Sequence, residues 1–455
     1  MREDPKFGTD GVRGLANADL SAFFAFRLGR AAGFLISSGV RGQKILVGQD
    51  TRISADLLRC GLVSGLLSVG THAVDLGVLP TAAVAYLTQH TAAAAGAMIS
   101  ASHNPMPDNG IKFFGPNGRK IADELETEIE VHLDRFEDLP SPTRADVGRL
   151  LPAEGLVQAY VEHLQNTMPI SLGGLRLVMD CAYGAASALG PRVAEAAGAA
   201  AYPLCHQPDG TNINAGCGAL HPEVLQQAAR KHGADLGVSF DGDADRAIFA
   251  DECGRLVDGD RVLAMCAIAW KDSPLLPGNR VVGTVMSNLG LEVGLARHGI
   301  ELLRAPVGDR HVADLMLSSG AALGGEKSGH IIFHQHATTG DGILTLLQVA
   351  GLMVRTGRRL SELASQVEEF PQRLVNVPVW RRRGWREQPD LWRAVRRGEE
   401  RLGGRGRILV RASGTERMIR VMAEGPDAAE IAEIVDEIAA VIRERMGAPP
   451  SGQPR

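Results

Sequence analysis

The apolar run Leu236–Phe240 leads straight into Asp241-Gly242-Asp243-Ala244-Asp245-Arg246, and this junction limits the chain more than any other stretch. Carboxylates at alternate positions converge when the backbone is extended or looped, whereas a helix spreads them around its circumference. The chain is therefore expected to turn here at the end of a strand. Three converged carboxylates repel one another unless a cation lies among them. A hard divalent ion suits oxygen ligands of this kind, and Mg²⁺ favours carboxylates combined with a phosphate oxygen. A calcium-binding EF-hand loop is the competitor, since Asp241, Asp243, Asp245 and Glu252 fall at its positions 1, 3, 5 and 12. Arg246 stands where that loop needs glycine, and a strand precedes where an EF-hand needs a helix, so Mg²⁺ is the expected ion.

A short apolar strand that ends in a polar loop recurs along the chain. Residues 45–48, 73–76 and 95–99 read as strands between helices at 20–37 and 55–69 and a helix that begins at Pro80-Thr81. Asp50-Thr51-Arg52 closes the first of these strands, the usual place for polar functional groups in an α/β layer. After the third comes Ser102-His103, with Asn104-Pro105 and Asp108-Asn109-Gly110 read as turns, residues 111–114 as a strand, and Lys112 upon it. A hydroxyl on a stiff loop beside an imidazole and an ammonium has the parts of a nucleophile that receives and releases a phosphoryl group. A Ser- and Asn-rich surface turn is the local alternative. At the start of the chain, Gly8, Gly11 and Gly14 surround Asp10 and Arg13; glycines let backbone N–H groups approach an anion, and a guanidinium can fork onto phosphate oxygens.

A helix at 123–136 closes the first α/β layer, and proline and charge between 139 and 152 read as a linker. A second layer follows, with a strand at 175–179, helices at 184–197 and 223–232, and a polar loop at 208–214 from which no chemistry follows by itself. A third has helices at 259–270, 289–298 and 309–318 and strands at 281–285 and 301–305. In its loop Gly324-Gly325-Glu326-Lys327-Ser328-Gly329-His330, the residues Gly325, Glu326 and Ser328 can hydrogen-bond sugar hydroxyls, and His330 can carry a proton. A strand at 331–334 and a helix at 342–355 come next. Beyond Phe370-Pro371 the expected elements are strands at 373–380, 408–411 and 418–422 and helices at 387–402 and 428–446. Arg411, Ser413, Gly414 and Thr415, counted together with Arg420, suit a phosphate that is not transferred. Trp380, Trp385 and Trp392 among arginines could bind RNA, but Glu387, Asp390, Glu399 and Glu400 interrupt the positive run, which favours a solvated helix.

At 455 residues the chain has room for about three domains by length alone, and 45% hydrophobic content gives each a core. A net charge of -5 argues against general nucleic-acid binding and against an anionic membrane partner, leaving small molecules as the expected ligands. Six scattered cysteines without a C-x-x-C pair fit free thiols in a reducing cytoplasm, and Cys217 with His221 is too isolated for zinc. A charged N-terminus and the lack of an apolar run near the ~20 residues of a membrane helix lead to a cytoplasmic expectation without a signal peptide.

With these loops in order, the chain resembles the α-D-phosphohexomutase superfamily over residues 6–446. The resemblance implies an α/β fold of three related α/β domains plus a smaller C-terminal α+β domain around a central active-site cleft, with boundaries at 1–150, 151–254, 255–369 and 370–455. It implies that Ser102 is carried as phosphoserine and holds Mg²⁺ together with Asp241, Asp243 and Asp245. The Gly325 to His330 loop would grip the sugar and the Arg411 to Thr415 loop its phosphate. Lys112 and His330 are the candidates for proton transfer, with Arg13, Arg246 and His103 assisting, and a sugar bisphosphate is the implied activator and intermediate. Residues 209–214 and Cys217-Gly218 resemble the branch that acts on hexosamine phosphates, whose product feeds nucleotide-sugar and cell-wall precursor synthesis; the phosphomannomutases and phosphoglucomutases are the alternative. A non-catalytic sugar-phosphate sensor has no use for Ser102, Lys112 and three aspartates. Ala412 and Arg417 stand where the resemblance leads one to expect proline, and Lys327 where it leads one to expect glutamine, which leaves the choice of sugar less fixed than the reaction. The oligomeric state is left open, with a homodimer as the candidate.

Overall fold

The computed structural model describes residues 4–40, 42–380, 383–413 and 417–447. It comprises two compact units, Met1–Met286 with Gly299–Gln366, and Ser287–His298 with Val367–Arg455.

The first unit carries three sheets. A seven-stranded sheet runs in the order Phe7–Gly8, Gly11–Leu15, Asp108–Phe114, Ala95–Ile99, Lys44–Gln49, His72–Val78 and Leu150–Pro152. Its central strands are parallel and apolar, as expected where helices cover a sheet. Ser21 caps the helix Ala22–Ile36 by accepting a bond from the Phe24 amide at 3.0 Å. That helix lies close against Ala55–Ser68 because the contact has no side chain on one side: a Cβ at Gly65 would come within 2.1 Å of the Phe26 carbonyl oxygen. A second sheet is ordered Leu256–Val257, Ala247–Ala250, Leu236–Phe240, Arg176–Asp180, Ala200–Leu204, and a third Glu301–Ala305, Arg280–Thr284, Leu323–Gly325, Ile331–Phe333.

Several expectations change. Asp108-Asn109-Gly110 is not a turn but the start of the strand Asp108–Phe114, because Leu15, Gly14 and Arg13 pair with it residue by residue. The stretch 139–152 is not purely a linker, since Leu150–Pro152 pairs with Ala73, Val74 and Asp75 and closes the sheet edge. Leu156–Thr167 is an additional helix, which buries Tyr160, Val161 and Leu164.

The second unit is an antiparallel sheet ordered Gln372–Pro378, Met418–Glu424, Arg407–Ala412, backed by the helices Pro389–Leu402 and Ala428–Met446. The helix Leu289–Arg297 falls in the same compact unit as this sheet. Asn288, its cap, donates to the Phe370 carbonyl at 3.0 Å, and Arg407 donates to the Ser287 carbonyl at 2.7 Å. Among the described residues no helix is long and apolar enough to cross a membrane.

Candidate active site

Ser102 occupies the loop between Ala95–Ile99 and Asp108–Phe114 with φ of 51°, a left-handed backbone that non-glycine residues rarely adopt. Its surroundings hold it there. Arg52, fully buried, donates to the carbonyls of Pro105 at 2.6 Å, Asp108 at 3.0 Å, Ser102 at 3.0 Å and Asn104 at 2.8 Å. Asp50 holds Arg52 Nε at 2.9 Å and accepts from Ser100 Oγ at 2.6 Å, which in turn accepts from the Ser102 amide at 2.9 Å. Asn214, from the polar loop of the second layer, donates to the Ser102 carbonyl at 2.8 Å and the Asn104 carbonyl at 3.1 Å. The outcome is a fixed hydroxyl, whose Oγ donates to Asp241 Oδ2 at 2.6 Å and lies 3.3 Å from His103 Nδ1.

The acidic turn comes to the same point. Ligand oxygens of Asp241, Asp243 and Asp245 all lie within 4.8 Å of one another, and all three side chains are buried. Burial and the neighbouring Asp245 and Asp243 push Asp241 well above the usual carboxylate range, and burial with Asp243 raises Asp245. Burial opposes ionisation of Asp243 too, but Lys112 at 2.9 Å and the Thr81 hydroxyl at 2.5 Å overcome it and hold that carboxyl at about 2. Lys112 is pushed above its ordinary value: burial acts against its charge, and Asp10 at 3.7 Å, Asp243 and Asp245 at 3.8 Å outweigh it. It is thus a fixed ammonium. Asp243 Oδ1 and Asp245 Oδ1 are buried without a hydrogen-bond partner among the described residues. Two orphaned carboxylate oxygens beside a protein hydroxyl are what a hard cation satisfies, so the donor set fits a divalent metal.

A cavity of about 390 Å³ opens over these groups, lined by Arg13, Ser102, His103, Asp245, Arg246, Glu326 and His330 among others. Burial lowers His103 to about 4, with Arg246 and Arg13 adding to the effect, so its imidazole is neutral at pH 7. Arg13 pairs with Asp10, and Arg246 Nε lies 3.8 Å from Asp241 and 3.9 Å from Asp245. His330 Nε2 accepts from the Gly340 amide at 3.1 Å, which places the imidazole proton on Nδ1; that atom has no partner among the described residues. Glu326 accepts from the Gly308 amide at 2.9 Å and from Ser328 Oγ at 3.2 Å. Of the expected sugar loop, Glu326 and His330 therefore line the cavity, while Ser328 braces Glu326 and Gly325 ends a buried strand. Lys327 Nζ lies 3.6 Å from the Asp258 carboxylate, and its side chain is not part of the cavity wall.

In the second unit Arg411 and Arg420 face each other across paired strands. Like charges directly opposite are unfavourable unless an anion lies between them, and burial followed by Arg420 lowers Arg411. The Ser413 amide donates to the Met418 carbonyl at 2.9 Å, continuing the pairing of the two strands. Gly414 and Thr415 lie outside the described residues.

Some contributors carried no local signal. Arg52 and Asn214 act on Ser102 from far along the chain, and Thr81 reaches Asp243 from a helix start. Lys120 joins Asp10 to Asp309 at 2.7 Å beside the cavity. The polar trio Asp50-Thr51-Arg52 at a strand end was the one sequence cue among them.

The chain matches, in order, the four phosphoglucomutase/phosphomannomutase domain descriptions: alpha/beta/alpha domain I over 4–138, domain II over 158–254, domain III over 258–370 and the C-terminal domain over 374–441. It belongs to the phosphoglucomutase/phosphomannomutase family. Within that family it is 51% identical to the phosphoglucosamine mutase of Desulforamulus reducens, covering 96% of this chain and 98% of that protein. It is 52% identical to that of Carboxydothermus hydrogenoformans with the same coverage. Among solved structures it shares its fold with a phosphoglucomutase/phosphomannomutase family protein from Burkholderia thailandensis, with a TM-score of 0.81, 22% identity and 98% of each chain covered. Aspergillus fumigatus N-acetylphosphoglucosamine mutase, solved with GlcNAc-6P and magnesium, gives 0.70 at 19% identity, covering 97% of this chain and 96% of that one.

Proposed function

We propose that this enzyme is a phosphoglucosamine mutase, which interconverts glucosamine 6-phosphate and glucosamine 1-phosphate through a phosphoserine at Ser102 and a bisphosphorylated sugar. The observation that carries the reading is the strained Ser102 hydroxyl 2.6 Å from Asp241, with two orphaned carboxylate oxygens beside it. Relatives about half identical over nearly the whole chain and named for this activity support the choice of substrate.

In the first half-reaction the Ser102 O–P bond breaks and an O–P bond forms on the free sugar hydroxyl, whose proton ends on Ser102 Oγ. Asp241 then accepts the hydrogen bond from that Oγ. Asp241, Asp243, Asp245 and the phosphoserine would hold Mg²⁺, which would supply positive charge against the transferring oxygens. Arg13 and Arg246 line the same cavity and contribute fixed charge. Of the two candidates for proton exchange, Lys112 is locked as an ammonium by three carboxylates, so His330, whose Nε2 is engaged by the Gly340 amide, takes the acid's part, its Nδ1–H donating to a sugar or phosphate oxygen in the cavity. The bisphosphate reorients, and the second half-reaction reverses these steps on its other phosphate. Arg411, Ser413 and Arg420 bind the phosphate that is not being transferred. The setting is the cytoplasm, ahead of nucleotide-sugar and cell-wall precursor synthesis.

Lys327 is the one residue of the sugar loop whose charge could oppose a hexosamine. An ammonium at 4 Å from the substrate's own ammonium would cost about 4 kcal/mol at an effective dielectric of 20. The Asp258 partner at 3.6 Å holds this charge away from the cavity. A substrate panel tests the assignment: glucosamine phosphates should turn over faster than mannose or glucose phosphates, and a preference for mannose phosphates would overturn it.

A further inference from the structure

The second layer gathers thiols that the mutase chemistry does not use. Cys205 follows the strand Ala200–Leu204, Cys217 lies at the far end of the next loop, and their sulfurs are within 4.8 Å of each other and of an Asp180 carboxylate oxygen. We propose that Cys205 and Cys217 form an oxidation site, a dithiol that a peroxide closes to a disulfide, and that closure withdraws Asn214 from the carbonyls of the Ser102 loop.

The two sulfurs differ in the way such a pair requires. Cys205 is partly exposed and Cys217 is buried, so the oxidant meets Cys205 first. The neighbouring Cys217 thiol favours the Cys205 thiolate and lowers that thiol despite its burial, whereas Cys217 beside it is pushed up. A metal fits this cluster poorly. Asp180 already accepts from the Ala182 amide at 3.0 Å, the Gly218 amide at 2.8 Å and Ser239 Oγ at 3.3 Å, so its oxygens are engaged in holding the turn.

The chemistry balances. The Cys205 thiolate attacks one peroxide oxygen, the O–O bond breaks, and the departing hydroxide takes a proton to leave as water, giving a sulfenic acid. The Cys217 sulfur then attacks that sulfur, the S–O bond breaks, and the hydroxyl leaves as water with the Cys217 proton. Two thiols are oxidised to one disulfide and the peroxide is reduced to two waters; a thiol reductant reverses the change.

Closure reaches the nucleophile through residues 206–216, which join the two cysteines. Gly210 in this loop accepts from the Ile53 amide at 2.8 Å, next to Arg52. Asn214 donates to the Ser102 carbonyl at 2.8 Å and, through its own amide, to the Ala182 carbonyl at 2.9 Å. Cys205 and Asn214 both sit in left-handed backbone, with φ of 47° and 57°, which persists only while the surroundings hold it. Bringing the sulfurs to the ~2.05 Å of a disulfide draws on both ends of this loop.

The test uses the full-length protein treated with hydrogen peroxide and then with dithiothreitol, followed by differential alkylation, peptide mass spectrometry and hydrogen–deuterium exchange. The expected result is a Cys205–Cys217 bridged peptide, with amide exchange in residues 100–108 accelerated about tenfold and restored by the reductant. C217S should give sulfenic acid at Cys205 without a bridge and without the change in exchange, and C205S neither. If Ser102 is the nucleophile, turnover falls with the bridge by about tenfold or more, since small displacements at a reacting group cost that much. An unoxidised enzyme without mutase turnover would overturn the functional reading and leave the mass and exchange readouts to decide this one. Thiols that stay unbridged, a bridge that leaves exchange at 100–108 unchanged, or one equivalent of Zn²⁺ that shields both thiols from peroxide would each overturn the proposal.

Discussion

The Ser102 loop and the Asp241 to Asp245 loop both follow a buried strand and meet at one hydrogen bond, yet they settle their polar groups in opposite ways. Around Ser102 the carbonyls are answered by Arg52 and Asn214, and Arg52 is itself answered by Asp50. The acidic loop keeps two buried carboxylate oxygens unanswered among the described residues, and its carboxyls are driven apart, Asp243 down and Asp241 up. A loop whose bonds are complete can hold a strained backbone for a nucleophile. A loop whose bonds are incomplete is built to be finished by a ligand.

The contrast breaks most severely at Arg52. Arg52→Met leaves Asp50 buried and unpaired, and such losses cost about 3–5 kcal/mol, so a marked fall in the denaturant midpoint is expected together with loss of turnover. A stability near wild type would show that the Ser102 loop holds itself. On the acidic side the order of effects should reverse. Asp245→Asn should lower kcat by about 10²–10³ while thermal unfolding moves little, because burial and the neighbouring Asp243 already oppose the charge on that carboxyl. Chelation with EDTA should reproduce that loss in the wild type, and Mg²⁺ should restore it.

Protonation offers a third way to separate the two sides. Asp341 caps the helix Gly342–Thr356 and accepts from Tyr160 at 2.6 Å, and burial pushes its carboxyl up to about 6 from an ordinary 3.8. A raised carboxyl binds its proton more tightly in the folded state, so its contribution is complete below about pH 4 and is lost as pH rises through about 6; the whole span is about 2–3 kcal/mol at most. Urea titrations at pH 4 and pH 7 of wild type and Asp341→Asn measure it, and an equal pH dependence in both proteins would remove the assignment. The smallest effect is expected at Lys327→Gln, where kcat/KM for glucosamine phosphate should change by less than about threefold, since the ammonium lies against Asp258 and outside the cavity wall. A large gain would mean that Lys327 faces the sugar.

Much of the site was legible because its parts are local. Strand-end loops with Ser102, with alternating aspartates and with glycine-flanked Glu326 and His330 announce themselves within a few residues. What stayed hidden depends on contacts made across the chain. Nothing near Asn214 marks it as a partner of Ser102, and Asp108-Asn109-Gly110 has turn chemistry that pairing with residues 13–15 overrides. Nothing in Leu289–Arg297 announces the packing of Gly294 on Val367 or the bond from Asn288 to the Phe370 carbonyl. Lys112 shows the same limit in charge. As a lone lysine it was a candidate for proton transfer, and the three carboxylates that fix it as an ammonium come from two other segments.

The central claim, that Ser102 carries the phosphoryl group, is tested most directly by intact and peptide mass spectrometry of the enzyme after incubation with glucosamine 1,6-bisphosphate and after exhaustive exposure to unphosphorylated sugar. The account expects one phosphate, on Ser102, in the first sample and its disappearance in the second, with Ser102→Ala unmodified throughout. Phosphate on another residue with Ser102 always bare, or full turnover by Ser102→Ala, would contradict it.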